Sequence, residues 1–512
     1  MAVDPTTGLT AQGYTAQEAS FVINTPTAAR SISAMGQTID INQVNTYSYM
    51  DEAYYGNGGF RDGRYLVPFS RESNYQQRRQ LGHYKNYLKP IIRAMVEPVF
   101  SEMAIRSVKD ENDNDVETLF EDFIEDCDAA CTHLQDYTHQ AVNVCRRHGV
   151  SFTVMDNYTT QPDNLQAAKE NRIYPYVYMK KANEVEEYKI DNFGNITSIT
   201  FTDTPVKVND KIQKRYRMWT ETECILMTKN DAGKWVEIYK TYHGLGRVPV
   251  IAVYSEIRET RNVILPDPPL YDLGRLNHVI YNQASEIRDL ERSQSFSVFY
   301  VQGIAPGDLS IGANNYINIP LEASITPGYA APDPAIMAGL VSNQDQIRKD
   351  LFLIAEQAGV VGVQNSESGI AKSYDFFAHE ETLKATSRIA TTLELAIADL
   401  FMLYTKENFV YTVIYPMDFQ PMGLDREVDR IDKVLKMPGL NPLLVSKVQE
   451  KLARMLMADQ SPEIVQEIID SIQLNTEDKS TGKPEAEEPE VEKEEPVDNS
   501  EREDITDSVD SD

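Results

Sequence analysis

Between Pro268 and Gly303 the hydrophobic pattern of the chain changes period. Apolar residues recur at Leu273, Leu276, Ile280, Ala284, Ile287 and Leu290, and most positions between them are polar or charged: Asn277, His278, Asn282, Gln283, Glu286, Arg288, Asp289, Glu291 and Arg292. Spacings of three and four put one narrow stripe on one side of a helix. So thin a stripe predicts a helix packed on one side and wet on the other. Pro268-Pro269 stops whatever precedes it. Directly after the helix, Phe296-Ser297-Val298-Phe299-Tyr300-Val301-Gln302-Gly303 alternates and is aromatic, which predicts a strand ended by glycine.

The same patterning orders the rest of the chain. Residues 1–45 are rich in Thr, Ala, Ser and Gln and show little periodicity, so an irregular arm is expected. A helical region runs from Asn74 to about Ile105, broken by Pro90 and Pro98. After the acidic break 111–115, two amphipathic helices are predicted, through Val116–Ile124 and Leu134–Cys145, the second closed by Gly149 and followed by a strand at Val150–Met155. Strands are then predicted at Ile173–Met179, Val185–Ile190, Ile196–Thr202, Ile212–Trp219, Glu223–Met227 and Trp235–Tyr242, with hairpin connectors at Asn192-Phe193-Gly194-Asn195 and Asn230-Asp231-Ala232-Gly233. A buried strand is predicted around Val250–Val253. Beyond the central helix come a short strand at Tyr316–Ile319, a helix at Ala335–Gln357, a glycine-rich loop, a long helix over Ile370–Tyr404, a strand at Tyr411–Tyr415 and small helices over Leu424–Ile472. The fold class is α+β.

Charge alters this picture at one end. The formal net charge is −30; residues 477–512 hold 16 acidic and 4 basic residues, −12 of that total, which leaves −18 on the body. The tail reads as a disordered acidic segment. A body this acidic argues against a duplex gripped through neutralised phosphates. Four cysteines are too few for a disulfide framework in 512 residues, so a reducing compartment is expected. No signal peptide is seen at Met1–Gly8, and no apolar run is long enough to span a bilayer, so no membrane role is expected.

Catalytic signatures are missing. There is no Gly-x-x-x-x-Gly-Lys-Ser/Thr loop, no Gly-x-Ser-x-Gly elbow and no His-Glu-x-x-His helix. Cys127, Cys131, His133, His139, Cys145 and His148 are dense, but without Cys-x-x-Cys or a compact His pair they read as packing cysteines and surface histidines. No cofactor and no enzymatic activity are expected.

The order of parts resembles the portal proteins of tailed bacteriophages. Arg61-Asp62-Gly63-Arg64-Tyr65-Leu66-Val67-Pro68 is similar to the approach to their first helices, and Gly246-Arg247-Val248-Pro249-Val250-Ile251 to the strand before their stem. Pro268–Asn277 is similar to the start of their stem helix and Val298–Gly303 to the strand after it. Asn365-Ser366-Glu367-Ser368-Gly369-Ile370-Ala371 is similar to the turn opening their long helix, and Pro416-Met417-Asp418-Phe419 to the start of their C-terminal region.

The resemblance implies a portal fold: an irregular N-terminal arm (1–55), a wing of helices plus a β-rich block (56–267), a stem helix (268–295), a small α/β clip (296–334), a second stem helix (335–358), a tunnel loop (359–373), a long kinked helix returning to the wing (374–423), a helical crown (424–476) and the acidic tail (477–512). It implies a homo-oligomeric ring of about twelve copies at one capsid vertex. Through this channel a terminase motor packages double-stranded viral DNA, which later leaves into the tail. The implied partners are the terminase large subunit, major capsid and scaffolding proteins, and head-tail adaptor or tail proteins. The implied location is the virion, with assembly in the host cytoplasm. Carried onto this chain, the tunnel-loop candidates are Gly362, Gln364, Asn365, Ser366, Ser368 and Lys372. The stem channel wall would present Glu286, Arg288, Glu291 and Arg292, and stem packing would use Leu273, Leu276, Ile280, Ile287 and Leu290. The alternatives are another ring-forming or capsid-associated structural protein and, from a different class, a cytoplasmic hydrolase.

Overall fold

The structure, a computed structural model, describes residues 21–24, 32–34, 37–39, 46–68, 75–112, 114, 116–158, 164–208, 211–230, 232–258, 261, 263–295, 298–302, 316–319, 328–330, 334–355, 369–419, 431–437, 441–457 and a few positions between 464 and 472. The chain divides into two compact units, 1–420 and 421–512.

The first unit mixes helix and sheet. Three short strands, β1 (Phe21–Asn24), β2 (Ile32–Ala34) and β3 (Gln37–Ile39), occupy part of the expected arm. Helices α1 (Thr46–Tyr55), α2 (Gly58–Arg61), α3 (Tyr75–Leu81) and α4 (Leu88–Val96) follow. Pro90, expected to break a helix, lies in the first turn of α4, where its missing N–H costs no intrahelical bond. Pro98 lies in a 3-10 turn, Glu97–Phe100.

A strand that the sequence reading missed, β4 (Ile105–Lys109), precedes α5 (Leu119–Glu125), α6 (Leu134–His148), β5 (Val150–Asp156) and α7 (Leu165–Glu170). The β-rich block then holds β6 (Tyr176–Lys181), β7 (Val185–Ile190), β8 (Ile196–Val208), β9 (Lys211–Thr220), β10 (Glu223–Lys229), β11 (Trp235–Tyr242) and β12 (Val250–Tyr254). After it come α8 (Tyr271–Ser295), β13 (Val298–Gln302), β14 (Tyr316–Ile319), β15 (Gly328–Ala330), α9 (Pro334–Ile354), α10 (Gly369–Thr405) and β16 (Val410–Ile414). In the second unit, α11 (Pro442–Leu456) opens with Asn441, whose side chain accepts from Leu443 N at 2.9 Å, and with Pro442 in its first turn.

Strands β1-β7-β8-β9-β10-β11 form one antiparallel sheet in that order, and β12-β5-β6 a second. Their hairpins close by the same device. Asp191 accepts from Phe193 N and Asn195 N at 2.9 and 2.8 Å, and Asn230 accepts from Ala232 N and Lys234 N at 3.0 and 2.9 Å. Such Asx turns pin both ends of a short loop to one side chain. Between the two sheets lies a core that includes Phe152, Val154, Tyr188, Ile199, Phe201 and Trp219.

A larger core joins α1, α4, α5, α6, α8 and α10, with Tyr49, Ile91, Ile92, Phe120, Phe123, Val142, Leu393, Ile397 and Phe401 all fully buried. Buried in it is Glu394 of α10. Its carboxylate takes both forks of Arg106 from β4 (Nη2–Oε1 2.7 Å, Nε–Oε2 3.0 Å), the hydroxyls of Tyr411 (2.8 Å) and Tyr415 (2.5 Å), and that of Thr138 (3.3 Å). Full burial is tolerable because every lone-pair direction is met. This network ties α10 to α6 and to the β4–β16 pair.

Candidate functional site

The candidate site is the α8–α9 helix pair, the segment expected to form a stem. Helix α8 leaves the larger core, β13, β14 and β15 form a small three-stranded sheet, and α9 returns. β13 pairs parallel with β14 and antiparallel with β15. Tyr271 and Leu273 at the start of α8, and Leu351, Phe352 and Ala355 at the end of α9, belong to the same core. The two helices are therefore rooted side by side and run antiparallel. Midway along them, Gln344 Nε2 donates to Ile280 O at 3.3 Å.

Three of the five proposed packing residues are buried: Leu273, Ile280 and Ile287; Leu276 and Leu290 are half-buried. The buried face is wider than the apolar stripe, however, and here the expectation of a wet polar side is corrected. Asn277 and His278 are 0 and 3 % exposed, and Tyr281 and Ser285 are also buried. The reason is a set of directional bonds. Asn277 Oδ1 accepts from the backbone N–H of Tyr87 (2.7 Å) and of Leu88 (3.2 Å), which begin α4, and its Nδ2 donates to Lys85 O (2.8 Å). Those N–H groups belong to the helix end that has no intrahelical acceptor.

His278 Nε2 lies 2.7 Å from Tyr65 O. A carbonyl only accepts, so Nε2 carries the proton, and Nδ1 accepts from the Tyr49 hydroxyl at 3.2 Å. Burial pushes the imidazole pKa down from its ordinary value to about 4, against the opposing pull of the Tyr65 bond. Asn282 Oδ1 accepts from Val67 N (2.9 Å), Tyr281 Oη donates to Phe60 O (3.0 Å), and the buried guanidinium of Arg78 bridges Ser285 Oγ (3.0 Å) and Val67 O (2.5 Å). The segment Tyr65-Leu66-Val67 and the polar positions of α8 are thus one hydrogen-bonded unit, although the sequence reading treated them as separate motifs.

Close backbone approach completes the root. A Cβ on Gly274 would stand 3.0 Å from Met50 Sδ of α1. Gly149, which ends α6 at φ +83°, is held so near the proline joint that a Cβ would meet Asp267 O at 3.1 Å and Pro269 Cδ at 3.3 Å.

Among the proposed channel-wall residues, Arg288, Glu291 and Arg292 are exposed and Glu286 is half-buried. Gly362, Gln364, Asn365, Ser366 and Ser368 lie outside the described residues; Lys372 falls within α10, its side chain outside them. The residues missed by sequence reasoning are Asn277, His278, Asn282, Ser285 and Arg78. A signal for four of them was present: Asn277, Tyr281 and Ser285 are spaced by four, as are His278 and Asn282, which places them on one helical face.

The other buried charges hold the fold together. Asp51 meets Arg147 Nε (2.7 Å), His148 Nε2 (2.9 Å) and Lys181 Nζ (3.1 Å). Burial works to raise its pKa, but these three partners hold the carboxyl well below the usual range. Among the described residues no group of three or more His, Cys, Asp or Glu is placed to hold a metal. Cys127 and Cys145 are buried, and burial pushes the Cys145 thiol up to about 12. No described helix is long and apolar enough to cross a membrane.

No protein-family model matches the chain, and no curated protein matches it. Among solved structures, it is similar to a chain from the neck of an empty gene transfer agent particle, computed with sixfold symmetry, at 10 % identity and a TM-score of 0.43, over 73 % of this chain and 93 % of that one. It is likewise similar to a chain of the virion of a native gene transfer agent particle, at 10 % identity and a TM-score of 0.42, over 77 and 96 %.

Proposed function

We propose that the chain is the subunit of a portal-type ring, a channel at a capsid vertex for double-stranded DNA. One observation supports this reading above others. The two stem helices share a rooted inner face, yet leave apolar side chains in water on their other sides: Val279 (43 % exposed) on α8, and Ile336 (57 %), Val341 (42 %), Leu353 (60 %) and Ile354 (58 %) on or at the end of α9. Exposed apolar side chains distributed along a helix pair are what neighbouring copies would cover in a ring. The absence of a nucleotide-binding loop agrees with a passive conduit driven by a separate terminase. An acidic body fits as well, because fixed negative charge gives a passing duplex no deep electrostatic minimum. In this reading the chain performs no catalytic step. Arg288, Glu291 and Arg292 of the outer stem, together with Gly362 to Ser368 and Lys372 in the first turn of α10, line the path of DNA.

Native mass measurement of the purified chain tests the proposal. The expected result is a large closed ring of about twelve copies with a central hole in projection images, and capture of a terminase large subunit. A monomer at all accessible concentrations and salts would sink it.

A further inference from the structure

The β8–β9 hairpin outruns its sheet. The last β7–β8 pair is Val185 with Phe201, and the last β9–β10 pair is Arg215 with Thr228. Beyond them β8 and β9 pair only with each other, through Val206–Gln213, Lys207–Ile212 and Val208–Lys211. A register shift between Asp203 and Val206 bends the strand just where the sheet ends. Thr204–Val208 of β8 and Lys211–Lys214 of β9 are therefore a two-stranded ribbon with no described strand on either outer edge. Such a ribbon is marginal in water by itself. Thr204, Pro205, Lys207 and Lys214 are exposed, and Ile212 is 75 % exposed.

The ribbon is also a local reversal of charge. Residues 204–214 carry Lys207, Lys211 and Lys214 against Asp210 alone, in a chain of net charge −30. The opposite extreme lies at 110–128, which holds 10 acidic residues and no basic one. Part of that charge is met at home: Lys169 reaches Glu117 (2.8 Å) and Asp122 (3.3 Å), and Arg172 reaches Asp126 (2.8 Å). Glu121 and Glu125 on α5 remain exposed; His133 Nε2 stands 4.0 Å from Glu125, and neither carboxylate has a lysine or arginine partner among the described residues.

We propose that the ribbon is an intersubunit arm that lays Ile212 and its lysines on the acidic α5 face of the next copy. The inference rests on the ring reading. Subunits of net charge −30 repel one another, and a heterologous interface closes a ring by joining two unlike patches of the same chain. A basic ribbon and an acidic helix face are such a pair. A copy of this chain suits the ribbon better than a duplex does, because Ile212 stands at its centre and needs apolar cover that phosphates do not supply.

The experiment uses the full chain and two double variants, Lys211→Glu/Lys214→Glu and Glu121→Lys/Glu125→Lys, with their combination. The readouts are ring dissociation against salt and concentration by native mass measurement, and melting of the dissociated subunit as a folding control. Each double variant is expected to raise the concentration for half-assembly at least tenfold, while the combination recovers most of the loss. A combination no better than either parent overturns the inference, as does a wild-type ring indifferent to both. So does a ribbon variant that assembles normally but loses duplex binding. A wild-type chain that never forms a ring overturns the ring reading itself, and this inference with it.

Discussion

Asn277 Oδ1 accepts from Tyr87 N at 2.7 Å across 190 positions of sequence, so a stem residue caps a helix of the body. The same side chain also serves Leu88 N and Lys85 O. Asn277→Ala leaves one buried and two part-buried backbone groups without this partner. Its unfolding free energy should fall by about 2–4 kcal/mol, measured by denaturant titration of the dissociated subunit: a fully buried orphan costs about 1–3 kcal/mol, and the two part-buried groups cost less because water reaches them. A loss below about 0.5 kcal/mol would mean that water replaces the cap.

His278 makes stability depend on pH. Its folded pKa, about 4, lies below the ordinary 6.5, so between those values the unfolded chain binds more protons than the folded one. Stability contributed by the neutral ring is full above pH 6.5 and declines as pH falls toward 4, by about 3 kcal/mol in all. Burial lowers the pKa of His148 as well, in the same direction. Asp51 acts below this window, because its depressed pKa withdraws stability only at more acid pH. Denaturant melts between pH 4 and 7 should show the slope, and His278→Gln should flatten part of it. An unchanged slope in that variant would assign it to other groups.

Arg106 and Glu394 should behave as a coupled pair. Arg106→Met leaves a carboxylate buried without its cation, at a cost of about 3–5 kcal/mol. Glu394→Gln keeps one acceptor oxygen, enough for Tyr411 or Tyr415 but not both, and strands the guanidinium. The double variant should lose less than the two single losses combined, by more than about 1 kcal/mol. Additive losses in the double-mutant cycle would show that Arg106 is served by Gln135 Oε1 and Ala104 O instead, which it also reaches at 3.2 and 3.4 Å.

The outer faces of the stem should matter for assembly and not for the subunit. Val341→Glu and Ile336→Glu place charge on side chains that are already exposed, so subunit melting should shift by less than about 0.5 kcal/mol. In the ring reading the same charges are buried between copies, and native mass measurement should show smaller species. A ring that forms undiminished in both variants would locate the contact elsewhere.

Much of the β-rich block was legible because local chemistry fixed it. Strands β7 and β11 have the bounds expected from sequence, and the Asp191 and Asn230 turns that frame the hairpins are read from a few adjacent residues. Strand β4 was not legible. Its partner among the described strands, β16, follows about 300 residues later, and Arg106 within it is kept by a carboxylate on a third element. The stem was half legible. Apolar periodicity found the helix and its inner stripe, but a count of apolar residues takes Asn277, His278 and Ser285 for surface. Their burial depends on backbone groups of α4 and of Tyr65–Val67, which no window around the stem contains.

The polar root of α8 also has a mechanical meaning. An apolar stripe resists separation but allows a helix to slide or roll, because the attraction has no direction. From Asn277 to Ser285, α8 is instead keyed by bonds that a roll of one residue would break together. Force applied to the outer stem is therefore delivered as torque to α4 and to the Tyr65–Val67 segment. Beyond Ser285 the keying is sparser: Ile287 is buried and Arg288 Nη1 donates to Leu81 O at 3.4 Å, while Arg288, Asp289, Glu291 and Arg292 are exposed.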